Sequence, residues 1–264
     1  MTSGVDFLAF LELEPIDGDI YRGWPGVWPP DRPRIFGGEV AAQALRAAAH
    51  TVPAGRLPHS LHGYFLRQGD PKLPVIYSVD RDRDGRSFSA RRVAAMQHGE
   101  VIWDMACSFA EPVDGPEFGR PMTPGMAGPD ESAPIDHVWC PMIEVRVPPP
   151  PDGRPTRPEG LDRCWTKVIT PVPDDPILHA CLLAFTSDVS SGFADLMMDG
   201  VPTFGPSLDH ALWFHGPVRA DDWVLYESEP MKVGSHRGLY RGAAYDPAGR
   251  LVAMLAQEML LRPT

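Results

Sequence analysis

Arg92-Val93-Ala94-Ala95-Met96, a short turn, and Gly99-Glu100-Val101-Ile102-Trp103-Asp104-Met105-Ala106-Cys107-Ser108 form one passage of the chain. About 150 residues later comes its echo: Arg241-Gly242-Ala243-Ala244-Tyr245, a turn, and Gly249-Arg250-Leu251-Val252-Ala253-Met254-Leu255-Ala256-Gln257-Glu258. The same comparison sets His62-Gly63-Tyr64-Phe65-Leu66 against His210-Ala211-Leu212-Trp213-Phe214, and with them His59 against Ser207. A period that long is a whole small domain rather than a solenoid unit, so two copies of one fold are joined in a single chain. Positions where the copies differ are where function is to be sought. Ser207 and Gln257 in the second copy face His59 and Cys107 in the first.

Around these passages the chain alternates in the manner of strands. From residue 62 to 112, apolar or alternating runs are broken by Gly69-Asp70-Pro71, Asp84-Gly85 and His98-Gly99, which read as antiparallel strands and hairpins. Strand-like runs resume at Leu208 and continue to Leu261, with shorter candidates at Met142–Arg146 and Cys164–Val168. Each set follows a helix. Phe36-Gly37-Gly38-Glu39 opens an Ala-rich stretch over 40–49, built from strong helix formers, and the two glycines let other backbone approach its start. Asp174-Asp175-Pro176 is a helix start of acidic residues and proline, and the following Ile177 to Phe185 is apolar nearly all round, as a buried helix would be. A helix of that kind beside a run of long antiparallel strands predicts an α+β double hot-dog: two antiparallel sheets, each wrapped around a central helix.

Residues 112–158 hold 13 of the 31 prolines and read as a linker lying over the surface. The expected division is therefore an N-terminal hot-dog domain over 1–112, a linker over 113–160 and a C-terminal domain over 161–264.

Bulk properties bound the function classes. A 264-residue chain that is 43% hydrophobic and 22% charged has the balance of a globular protein with a substantial core. A net charge of -11 argues against non-specific binding to nucleic acid or an anionic membrane surface. No apolar run reaches the roughly 18–20 residues of a membrane span, and the first residues lack the basic and apolar parts of a signal peptide. Cys107, Cys140, Cys164 and Cys181 are scattered and read as free thiols, so the expected location is the cytoplasm. There is no Gly-x-Ser-x-Gly elbow, phosphate loop or dinucleotide fingerprint, and no spacing that suggests a metal site, so neither cofactor nor metal is expected.

Several blocks resemble the acyl-CoA thioesterase II family. In the first half they are Phe36-Gly37-Gly38-Glu39-Val40, His59 to Asp70 and Arg83 to Val93; in the second, Thr186-Ser187-Asp188, Ser207 to His215 and Ala256-Gln257-Glu258. The match spans nearly the whole chain apart from the linker. Glu39 departs from it, standing where the family usually has Gln, and the segment between Asp188 and Ser207 is shorter. The resemblance implies hydrolysis of acyl-CoA to free fatty acid and CoA by a water that Asp188, Ser207 and Gln257 hold together.

Those residue types suit the reaction. A thiol with a pKa of about 8.5 leaves readily as thiolate, so the task is to position a water, take its proton and stabilise an oxyanion. Asp188 can take the proton, Ser207 and Gln257 can fix the water, and backbone N–H groups at a helix start can supply the oxyanion donors. Each residue has a plainer reading beside this one: Asp188 as a cap, Ser207 as a turn residue, Gln257 as a satisfied buried amide. One active site per chain is expected, in the second half, with the first-half equivalent degenerate.

Substrate-binding candidates are Arg86 and Arg91, from an arginine cluster that could meet CoA phosphates, and Trp213 and Phe214, as lining of an acyl tunnel. Here too there are plainer readings: a hairpin tip neutralised by Asp80, Asp82 and Asp84, and ordinary core aromatics. A non-catalytic acyl-CoA binding module and a hot-dog enoyl-CoA hydratase are the competing functions. Because relatives commonly assemble further, a homodimer or homotetramer is expected.

Overall fold

The computed structural model describes residues 7–26, 32–135, 140–151, 153, 161–193 and 203–262. Strands β1 (Glu14–Asp17) and β2 (Ile20–Gly23) precede helix α1 (Gly37–Ala49). Four strands follow: β3 (Leu57–Phe65), β4 (Val75–Asp84), β5 (Phe88–Gln97) and β6 (Glu100–Ala110). The next part supplies β7 (Ala133–Ile135), β8 (Ile143–Val147), β9 (Arg163–Val168) and helix α2 (Pro176–Ser187). Then come β10 (Thr203–Ser207), β11 (Asp209–Phe214), β12 (Val224–Gly234), β13 (Arg237–Tyr245) and β14 (Leu251–Arg262). None of the described helices is long and apolar enough to cross a membrane.

Both helices begin where the sequence places them. Asp175 caps α2, its Oδ1 accepting the Ile177 N–H at 2.9 Å, and Pro176 occupies the first turn, where a missing N–H costs nothing. Helix α1 has no such side-chain cap of its own; Phe36 occupies the cap position. Its alanines are buried on several sides, because it packs against α2 and against strands β3 to β6 together. Small side chains suit a helix with that many neighbours. The β5–β6 hairpin turns through His98 and Gly99, both at positive φ (51° and 77°), a conformation whose twist matches the flanking strands.

The two expected sheets are one. Antiparallel strands run in the order β1-β2-β4-β5-β6-β3-β11-β14-β13-β12-β9-β8-β7, with β10 added alongside β14. The join is β3 against β11, from Ser60 opposite Trp213 to Tyr64 opposite Asp209. Each half would otherwise end in a row of unpaired N–H and C=O groups, and the two rows satisfy each other. The proline-rich stretch also contributes to the sheet: β7 and β8 extend its far edge. Ahead of β7 the stretch is tied down by the Trp165 indole, which donates to Ala127 O at 3.0 Å, and by the Tyr245 hydroxyl, which donates to Pro121 O at 3.3 Å.

The ladders also correct the internal alignment. Cys107 and Gln257 are equivalent, since Arg91 faces Cys107 on β5–β6 as Tyr240 faces Gln257 on β13–β14. One residue earlier, Ala106 faces His62 whereas Ala256 faces Ala211. His62 is thus the counterpart of Ala211, and His210 that of Leu61. A slip of one residue reverses the face of every side chain. His62 accordingly points outward, 3.2 Å from Asp209, while His210 is fully buried. The same shift removes His59 from its place opposite Ser207.

Candidate functional site

A cavity of about 670 Å³ opens between the halves. The first half contributes the start of α1 and the aromatic rings of Phe36, Phe65 and Trp103; the second contributes Asp188, Ser207 and Gln257. Three separate elements deliver that trio. Asp188 caps the C-terminus of α2, Ser207 ends β10, and Gln257 lies within β14.

Gln257 links the other two. Its Nε2 donates to Asp188 Oδ1 at 3.0 Å and also to Ser207 Oγ. The second carboxylate oxygen of Asp188 accepts the Gly38 N–H at 2.9 Å, so a residue of the second half caps the uncapped α1 of the first. Burial pushes the Asp188 carboxyl above its ordinary value; His210, Gln257, Gly38 and Arg34 pull the other way without overcoming it.

The glycines at the start of α1 are required by this closeness. A Cβ on Gly37 would come within 2.7 Å of both Asp188 Oδ2 and the Phe65 ring, and one on Gly38 within 2.3 Å of Phe185 O. Glu39, the departure noted in the sequence, is buried; it accepts from Arg32 Nη1 at 2.7 Å and from the Gly26 N–H. It fastens Gly26 and Arg32 to the start of α1.

The four substrate-binding candidates are not in the cavity wall. Arg91 is buried, donating to Thr51 Oγ1 at 2.7 Å, Thr51 O at 3.0 Å and Asp84 Oδ1 at 2.7 Å. Arg86 is exposed near the turn between β4 and β5, and Arg81 and Arg92 nearby pair with Asp19 and Asp82. Trp213 points outward, 43% exposed, because Leu212 takes the inner face of β11; Phe214 packs at the margin of the core.

Arg91 also explains the difference between the halves. Its counterpart Tyr240 donates to Ser190 O at 3.0 Å, just beyond α2, as Arg91 donates to Thr51 O beyond α1. In the first half, therefore, a guanidinium and a buried Cys107 stand where the second half has a phenol and the Gln257 amide.

Two site residues escape the sequence reading. His210 Nδ1 meets Gln257 Oε1, and His210 Nε2 lies 2.8 Å from Ser187 Oγ. Both lie in the blocks Thr186-Ser187-Asp188 and Ser207 to His215, and His210 is further marked as an imidazole within β11, but neither residue type by itself points to a role in positioning Gln257.

Models of the acyl-CoA thioesterase N-terminal and C-terminal domains match residues 24–110 and 112–261. The chain belongs to the acyl-CoA thioesterase II family. It is a thioester hydrolase, similar at 35% identity to human acyl-coenzyme A thioesterase 8, over 96% of this chain and 87% of that one. A crystal structure of an acyl-CoA thioesterase II from Mycobacterium marinum is 37% identical, with a TM-score of 0.77 over 97% of this thioesterase and 96% of that chain. A hot-dog protein from Alicyclobacillus acidocaldarius shares the fold at 19% identity, with a TM-score of 0.80 over 99% of this chain and 100% of that one.

Proposed function

We propose that the chain hydrolyses acyl-CoA to free fatty acid and CoA by direct attack of one water on the thioester carbonyl. The observation that carries this reading is the convergence of Asp188, Ser207 and Gln257 on one cavity wall, joined through the Gln257 amide. In the proposed step the water oxygen bonds to the carbonyl carbon while Asp188 takes a proton from the water. The tetrahedral intermediate then expels the thiolate, which is a good enough leaving group to need no strong acid.

Both hydrogens of the Gln257 amide are engaged, one by Asp188 and one by Ser207. That leaves the Ser207 hydroxyl hydrogen and the remaining lone pairs of Asp188 for the water, so Gln257 acts by fixing the pair that touches it. Gly37, at the start of α1, provides a backbone N–H and the positive end of the helix dipole for the oxyanion. The apolar wall of Phe36, Phe65 and Trp103 suits an acyl chain, and Arg34 and Arg67 at the cavity suit the anionic CoA. Residues 161–264 then carry the chemistry, residues 1–112 complete the pocket, and 113–160 connect them.

We also read the chain as cytoplasmic, in keeping with four free, buried cysteines, and as a homodimer or homotetramer. Light scattering of the purified protein checks the assembly. The reaction is tested by free-thiol release from short, medium and long acyl-CoAs, with Asp188→Ala beside the native chain. Hydrolysis unchanged in that variant overturns the proposed chemistry; no thiol release from any chain length points to a binding module.

A further inference from the structure

We infer that His210 is a positioning residue for this reaction: it holds the Gln257 carbonyl and so steadies the amide orientation on which Asp188 and Ser207 both depend. The inference rests on the hydrolytic reading above. A primary amide can turn end for end at little cost in shape, and the turned form would aim its carbonyl at a carboxylate and withdraw both donated hydrogens. Ionised Asp188 accepts only, so the amide must present nitrogen to it and Oε1 must face the other way, toward His210 Nδ1. A carbonyl there calls for a proton on Nδ1.

Ser187 is compatible with that tautomer, which the Gln257 carbonyl requires. With Nδ1 protonated, the neutral ring offers Nε2 as an acceptor, and the Ser187 hydroxyl lies 2.8 Å from it. The same hydroxyl is 2.9 Å from Ala184 O. It can donate to either Nε2 or that carbonyl, so the Gln257 carbonyl, which only accepts, is what places a proton on Nδ1. Ser187 and His210 are both fully buried, so water does not compete for these partners.

The arrangement closes on itself. Ser187 and Asp188 are neighbours at the end of α2: one reaches Gln257 through the imidazole, the other directly. In the first half, where Gln257 is replaced by Cys107, the position of His210 is Leu61 and no imidazole stands there. The ring and the amide it orients are absent together.

The test compares His210→Asn with His210→Gln in the full chain, measuring kcat, KM and the thermal midpoint. The Asn amide nitrogen can occupy the place of Nδ1, whereas that of Gln reaches toward Nε2. The expected result is a fall in kcat of about 100-fold for His210→Gln with KM little changed, and retention of most of the turnover in His210→Asn. Ser187→Ala, a smaller change, is expected to lower kcat by about tenfold at constant KM, and it decides the matter if the His210 variants do not fold. Equal turnover in folded Asn and Gln variants, or native kcat in Ser187→Ala, overturns the inference. Gln257→Ala is run in parallel: native turnover there would instead overturn the hydrolytic role of the trio.

Discussion

Asp188 Oδ2 and the amide nitrogen of Gly38 are 2.9 Å apart in space and 150 residues apart in sequence. That one hydrogen bond ties the end of α2 to the start of α1. It satisfies an N–H that Phe36 cannot cap, and it holds a carboxylate at the positive end of a helix dipole. The same carboxylate is the proposed base, so folding of the first half and chemistry of the second meet in one side chain.

Asp188 should set the acid side of the pH profile. Burial raises its pKa above the ordinary 3.8, so the active carboxylate is lost, as pH falls, at a higher pH than an exposed aspartate would show. Initial rates of thiol release from about pH 4 to 9 should give an acid limb with its midpoint above 3.8, a limb absent from the residual rate of Asp188→Asn. Stability should show the opposite side of this. Between 3.8 and the raised value the folded chain binds more protons than the unfolded one, so the Asp188 contribution to stability declines as pH rises through that window. The thermal midpoint of Asp188→Asn, measured relative to the native chain, should therefore fall as the solution is acidified.

The two halves should respond unequally to matched substitutions. Gln257→Ala removes the link between Asp188 and Ser207, and an expected loss of about 100-fold or more in kcat follows from misplacing both. Cys107→Ala alters only packing, because burial pushes the Cys107 thiol up to about 12 and leaves it uncharged. Native turnover with a stability loss of about 1 kcal/mol is expected there. Similar losses of turnover in the two variants would refute a single active site.

Gly38→Ala should unfold before it inactivates. The added methyl meets Phe185 O at 2.3 Å, and a backbone oxygen inside a packed helix cannot step aside cheaply. A destabilisation of about 1–3 kcal/mol is expected in urea titrations. Gly37→Ala presses on Asp188 and the Phe65 ring instead, so its larger effect should fall on kcat.

Arginine replacements should separate architecture from binding. Arg91→Met leaves the Thr51 carbonyl and hydroxyl without their donor, at an expected cost of about 2–3 kcal/mol in stability. The KM for acyl-CoA should stay the same, and Arg86→Ala should change neither quantity. A rise in KM for either variant would return the β4–β5 hairpin to the substrate path.

Much of this is legible in the sequence. Asp175-Pro176 and Gly37-Gly38 mark both helix starts by local chemistry, and the trio lies in blocks whose residue types suit the reaction. What was not readable depends on counting across ladders. Histidine aligned with histidine in the repeat, but the β3–β6 and β11–β14 ladders pair His210 with the position of Leu61. The bulge between Pro58 and Ser60 in turn alters the count at His59 without marking the sequence. Arg91 was obscured for another reason: an alternation of Arg and Asp looks the same at a solvated tip and over a buried Thr51. Only the depth of the strand distinguishes them.

The seam between β3 and β11 has a consequence for how such a site can change. When two identical chains pair through an edge, every substitution is made twice, and a pocket cannot be closed on one side while it is kept on the other. Within a single polypeptide each side of the seam is encoded separately. Arg91 stands where the other half has Tyr240, and Leu61 where it has His210. Each half is then free to vary on its own, one toward rigidity and the other toward the polar wall of the pocket.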